Sequence, residues 1–109
     1  MRTKKIVVPI YEYSITLIYT EYMDKLGTKF NITDIDNCRA IVFKRNNRLY
    51  VAFGPEHRMA DIAHEVVHLI SNIYLYYGIK HDLINDEPTA YLTGYLFNEI
   101  FKFLTYKEK

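Results

Sequence analysis

The sequence has no tryptophan, a single cysteine, three prolines and four glycines, and its formal net charge is only +1. With Cys38 alone, no intrachain disulfide can form and nothing demands an oxidising compartment, which points to the cytoplasm. Prolines and glycines are scattered rather than grouped, and no repeat or low-complexity tract is present, so a single domain over residues 1–109 is expected. The near-zero charge excludes the global field with which a protein gathers nucleic acid or anionic membrane. No run approaches the roughly 20 apolar residues that cross a bilayer, so no membrane partner is expected. Met1-Arg2-Thr3-Lys4-Lys5 imitates the charged opening of a signal peptide, but Glu12 interrupts the apolar stretch that follows, and a strand is expected there instead.

Half of the 109 residues are hydrophobic and 16% are aromatic, with 11 tyrosines. That is a globular composition, sufficient for one core and too small for a separate substrate-binding domain. Any active site must be built on the core itself. Tyrosines bury a ring while keeping a hydroxyl for a partner, so several should stand at the core boundary or a cleft rim.

The first half reads as strand and the second as helix. Residues 5–11 are rich in β-branched side chains, and in residues 13–20 Ile15, Leu17 and Tyr19 alternate with Thr16, Ile18 and Thr20. Residues 21–29, with Tyr22, Met23 and Leu26 and with Gly27 near the end, fit a short helix. Apolar runs at 39–45 and 48–53 flank Asn46-Asn47, which can adopt the positive φ of a two-residue turn, and predict a β-hairpin. From about Arg58 the period changes to 3.6 and helix is expected to Tyr77, with Gly78 closing it. A second helix is expected to open near Glu87-Pro88 and run to about Leu104. The layout is α+β: a small antiparallel or mixed sheet with a hairpin, then two long packed helices.

Winding residues 60–77 at 100° per residue puts Ile62, Val66, Leu69 and Ile73 in one stripe and Ala63, Val67, Ile70 and Tyr74 in the next. The remaining arc holds Asp61, His64, Glu65, His68, Ser71 and Asn72. Such an arc can be merely the wet side of an amphipathic helix. Histidines at i and i+4, however, project side by side so that both rings can reach one ion, and Glu65 stands beside them within reach of a water. A catalytic zinc needs three protein ligands, one open position and a carboxylate base that is not a ligand. Glu65 is the candidate base. Glu87 is the preferred third ligand, with Asp86 as the main rival and His81 or Asp82 behind it. Glu87 shares a helical face with Tyr91, Gly94 and Asn98, and Gly94 would permit close approach of the two helices.

His64-Glu65-Val66-Val67-His68 followed by Glu87 resembles the zincin metallopeptidases, and the spacing of the glutamate resembles the gluzincin branch that includes thermolysin. More narrowly, residues 63–96, with Asn85-Asp86-Glu87-Pro88-Thr89-Ala90-Tyr91-Leu92, resemble small uncharacterised metallopeptidase-like proteins encoded by bacteriophages and prophages. The resemblance covers the C-terminal half well and the N-terminal half only in layout. It implies one Zn2+ at His64, His68 and Glu87, with Glu65 as base, a minimal zincin-like fold, and a bacterial or phage-infected cytoplasm. It departs at Tyr91, where thermolysin-like enzymes carry an acidic residue that orients a histidine. Asp61 or Asn72 could hold a histidine ring instead, or be solvated.

A donor to a developing oxyanion could come from Tyr91, Tyr77 or His81, although packing or loop roles are ordinary for each. His57, before the helix, reads as a capping or surface residue. Strand 48–53 could offer its edge to an extended peptide, or be fully paired. Lys44-Arg45-Asn46-Asn47-Arg48 with Tyr50 makes a basic hairpin tip that could touch phosphates, though charges at a turn usually serve solubility. Lys102, Lys107 and Lys109 suit a helix C-terminus. The expected function is therefore a zinc-dependent hydrolase acting on a peptide or protein substrate. The alternatives are a non-catalytic module in which the ion staples two helices, and a small nucleic-acid-binding adaptor. A partner protein or a second copy completing the cleft is compatible with either.

Overall fold

A computed structural model describes residues 1–106, and for Asp36 the backbone only. The elements run β1 (Arg2–Val8), β2 (Tyr13–Tyr19), α1 (Met23–Phe30), a 3-10 turn (Ile35–Asn37), β3 (Ala40–Arg45), β4 (Arg48–Phe53), α2 (Met59–Tyr77) and α3 (Glu87–Thr105). The fold is α+β. Its four strands form one mixed sheet in the order β1-β2-β4-β3, with β2 parallel to β4 and the outer pairs antiparallel.

The sheet is covered on both faces. On one, Ile15, Leu17, Leu49, Val51 and Phe53 share a core with Ile62, Val66, Leu69 and Ile73 of α2 and with Leu92, Leu96, Ile100 and Phe103 of α3. On the other, Ile18, Phe43 and Ala52 pack with Met23 and Leu26 of α1 and with Ile35. This second layer explains why Ile18 is buried although it alternates with the Leu17 face. β4 is paired on both sides and covered on both faces, and its residues from Val51 to Phe53 are an unbroken buried run. Of the tyrosines, Tyr13 and Tyr74 are buried, and Tyr11, Tyr19, Tyr50 and Tyr95 stand partly buried at the core boundary.

Local chemistry accounts for the element ends. Asn46 and Asn47 have φ of 55° and 61°, the pair of positive values that a two-residue hairpin turn needs to match strand twist. Gly78, at φ 68°, terminates α2. Asn31, at φ 55°, terminates α1, while Gly27 lies inside that helix and is buried. A Cβ on Gly27 would stand 2.9 Å from the Ile32 carbonyl oxygen and run into the Ile35 side chain, so this glycine is what lets the chain fold back over α1. Gly94 plays no such part. It is exposed, and a Cβ there would meet nothing within 4 Å, so close helix approach is not its purpose. The last turn of α2 and the first turn of α3 are joined instead by a 2.6 Å hydrogen bond between Tyr74 and Thr89. Lys102 pairs with Glu99 at 3.1 Å, one turn before it, and Lys107 and Lys109 lie outside the described residues.

Candidate metal and catalytic site

α2 presents its apolar stripe to the sheet and its polar arc to the flank above β3. His64 and His68 are exposed on that arc, and their Nε2 atoms lie 3.1 Å apart. Two zinc–nitrogen bonds of about 2.0–2.1 Å at a tetrahedral angle set their nitrogens about 3.3 Å apart. The ring pair is therefore spaced as a two-point chelate. The i, i+4 helical offset alone produces this approach, and the same approach lets one ring donate its N–H to the other.

Glu65, between them in sequence, is buried where the two histidines are exposed. It is only 6% exposed, one of the two buried polar side chains in the described residues. Among the described residues its Oε2 has no hydrogen-bond partner. Burial pushes the carboxyl above its ordinary range, against the opposing pull of His68 and His64 and of the Val42 N–H that faces it. Leaving one buried carboxylate oxygen without a donor costs about 1–3 kcal/mol of stability.

β3 forms the opposite wall. It is an edge strand, and its antiparallel ladder with β4, closed by Asn46-Asn47 and continued by the bond from the Gly54 N–H to the Arg39 carbonyl, alternates bonded and free residues. The N–H and C=O groups of Ala40, Val42 and Lys44 point away from β4. Two adjoining hollows lie along this edge and share Ala40 and Glu65. One, of about 370 Å³, includes Arg39, Arg58, Asp61 and His64, and the other, of about 190 Å³, includes Val42, His68 and Asn72. Together they form a groove between α2 and an open strand edge, with Glu65 at its middle. The open edge of the hairpin thus belongs to β3, whereas β4, the strand 48–53, is fully paired.

Asp61 closes one end of the groove. Its Oδ2 accepts the Arg58 backbone N–H at 2.8 Å and the Arg39 Nε–H at 3.0 Å, and the Arg58 side chain approaches at 3.5 Å. The Arg39 guanidinium, with the Arg58 contacts adding to it, holds its carboxyl at about 2. Asp61 therefore anchors two arginines and the head of α2 rather than a histidine ring or bulk water. Asn72, half-buried, donates to the His68 carbonyl at 2.8 Å and holds that turn of backbone, not the ring.

The remaining candidates stand apart. Among the described residues no three His, Cys, Asp or Glu side chains converge as a metal-holding group, so Glu87 is not brought to the histidine pair. Glu87 opens α3 beside a larger, mainly apolar hollow of about 550 Å³ that also includes Val8, Tyr11, Tyr91, Leu92 and Tyr95, and none of His64, Glu65 and His68 lines it. Asp86 precedes α3 without a side-chain capping bond. Asp82 accepts the backbone N–H groups of Ile84 and Asn85 at 2.9 and 3.0 Å, which lower its pKa and engage its carboxylate locally. His81 is exposed on the same loop. Tyr91 is 78% exposed, and the Tyr77 hydroxyl donates to the Tyr11 carbonyl, so neither phenol lines the groove. His57 is half-buried, with Nδ1 2.8 Å from the Gly54 carbonyl oxygen. At the hairpin tip Arg45 donates to the Phe30 carbonyl at 2.9 Å, which removes one cation from any phosphate-binding role.

Sequence reasoning missed the Arg39–Asp61–Arg58 cluster and the position of β3. The only local signal was that Arg58 precedes Asp61 by three residues at the start of a helix, a capping spacing; strand order leaves no such mark. No protein-family model, curated protein or solved structure matches this chain.

Proposed function

We propose that the protein is a metal-dependent hydrolase of peptide bonds, with His64 and His68 as metal ligands and Glu65 as general base. One observation carries this: two imidazole nitrogens 3.1 Å apart flank a buried carboxylate with an unpartnered oxygen, in a groove bounded by an open strand edge. A zinc ion held there would acidify water and polarise a carbonyl. Glu65 would take a proton from the attacking water and return it to the leaving amine. The free N–H and C=O groups of Ala40 and Val42 would align an extended substrate by strand addition. Glu87 is proposed as the third donor on the resemblance alone.

The test is elemental analysis of purified protein with hydrolysis of a denatured-protein substrate. One zinc per chain is expected in the wild type and in Glu65→Gln, with hydrolysis only in the former. Metal content unchanged in a His64→Ala/His68→Ala double variant would overturn the ligand assignment, and undiminished hydrolysis in Glu65→Gln would remove the base.

A further inference from the structure

The groove is chemically unequal along its length. At the β3 start, Arg39 and Arg58 share a single carboxylate, Asp61, and both remain substantially exposed, at 47% and 61% for their side chains. Asp61 spends both oxygens on them: Arg39 reaches it through Nε and Nη2, and Arg58 through its backbone N–H and Nε. Among the described contacts, Arg39 Nη1 and both Arg58 Nη atoms keep their N–H groups free. Two guanidiniums fixed by one acid, with donors to spare, form a pre-oriented receptor for a second carboxylate. They line the same 370 Å³ hollow as His64 and Glu65, a space of the order of one or two residues of substrate.

The charge at this end also sets a direction. A chain added to β3 in the parallel sense would bring its N-terminal side to Arg39 and Arg58, and in the antiparallel sense its C-terminal side. A terminal ammonium is repelled there, whereas a carboxylate is bound. Building on the hydrolase proposed above, we infer that Arg39 and Arg58 anchor a substrate carboxylate, so that the site takes peptides running antiparallel to β3 and carrying that negative group just beyond the bond at Glu65. The carboxylate could be a free C-terminus or an Asp or Glu side chain, and the chemistry of recognition is the same for both.

Binding without turnover separates this from the catalytic proposal. Fluorescence anisotropy would be measured on full-length Glu65→Gln protein with three N-terminally labelled random octapeptide pools: a free C-terminus without internal acids, the same pool amidated, and an amidated pool containing Asp and Glu. At least tenfold tighter binding of the first or third pool than of the second is expected. Preference for the first identifies the C-terminus as the source, and for the third an acidic side chain. Arg58→Gln should abolish the preference and Arg58→Lys should retain part of it, while melting temperature reports whether either variant has lost its fold. Equal affinity for all pools, binding to none, or a preference unchanged in folded Arg58→Gln and in Arg39→Gln would each overturn the anchor. Absence of hydrolysis by the zinc-loaded wild-type protein, with the preference intact, would sink the hydrolase and leave the anchor standing.

Discussion

The Tyr74 hydroxyl and the Thr89 hydroxyl are 2.6 Å apart, and that bond ties the first turn of α3 to the last turns of α2. Glu87 lies two residues before Thr89 and is not grouped with the histidine pair among the described residues. If Glu87 completes the metal site, this turn must shift, and the bond opposes it by about 1 kcal/mol. Tyr74→Phe is then expected to tighten zinc binding about fivefold and Glu87→Gln to weaken it at least tenfold, both read by competition with a chromophoric chelator. Unchanged affinity in Glu87→Gln would assign the third position to another donor.

Glu65 should trade stability for activity. Replacing it with glutamine removes a buried charge whose Oε2 lacks a partner, so the metal-free variant should melt a few degrees higher, the shift expected for about 1 kcal/mol in a domain of this size. Hydrolysis should fall by about 10²–10⁴ in the zinc-loaded form. A lower melting temperature in calorimetry would show that the carboxylate is structurally satisfied.

Asp61 predicts an acid limb in stability. Its folded pKa of about 2 lies below the ordinary value of 3.8, so its contribution is fully present above pH 4 and is lost as pH falls towards 2. Chemical denaturation between pH 5 and pH 2 should show Asp61→Asn less stable at pH 5 and converging on the wild type at the acid end. The difference should shrink in 1 M salt, because both arginines are exposed. A gap independent of pH would remove the ion pairs as its cause.

Two glycines should respond oppositely to alanine. Gly27→Ala forces a methyl against the Ile32 carbonyl and the Ile35 side chain and should cost about 1–3 kcal/mol. Gly94→Ala places a methyl in open space at an exposed helix position and should stabilise by about 0.5–1 kcal/mol. Denaturant titration of both variants decides it, and destabilisation by Gly94→Ala would reveal a neighbour at that face.

Periodicity made much of this legible. The hairpin followed from Asn46-Asn47, α2 from the Ile62, Val66, Leu69, Ile73 stripe, and the histidine convergence from a four-residue offset. β1 began earlier than expected, at Arg2 rather than residue 5, because Lys4 and Lys5 occupy exposed positions of an edge strand and their pairing with β2 sets the end. What could not be read was spatial order. The β2–β4 parallel joint leaves β3 outermost, and strand sequence alone does not distinguish the two arrangements. Helical periodicity likewise gave α3 an apolar face without saying which flank of α2 it joins, and that flank decides the company Glu87 keeps. The spacing to Gly94 suggested proximity where the chain has open space.

An unfilled ladder also attracts other copies of the same polypeptide, since any extended segment can complete it. Lys44 and Arg48, both exposed, gather like charge at one end of that rim, so two hairpins meeting side by side repel each other before their backbones can zip. Charge at the tip thus disfavours edge-to-edge pairing of two copies, while the backbone groups of β3 beyond it stay open.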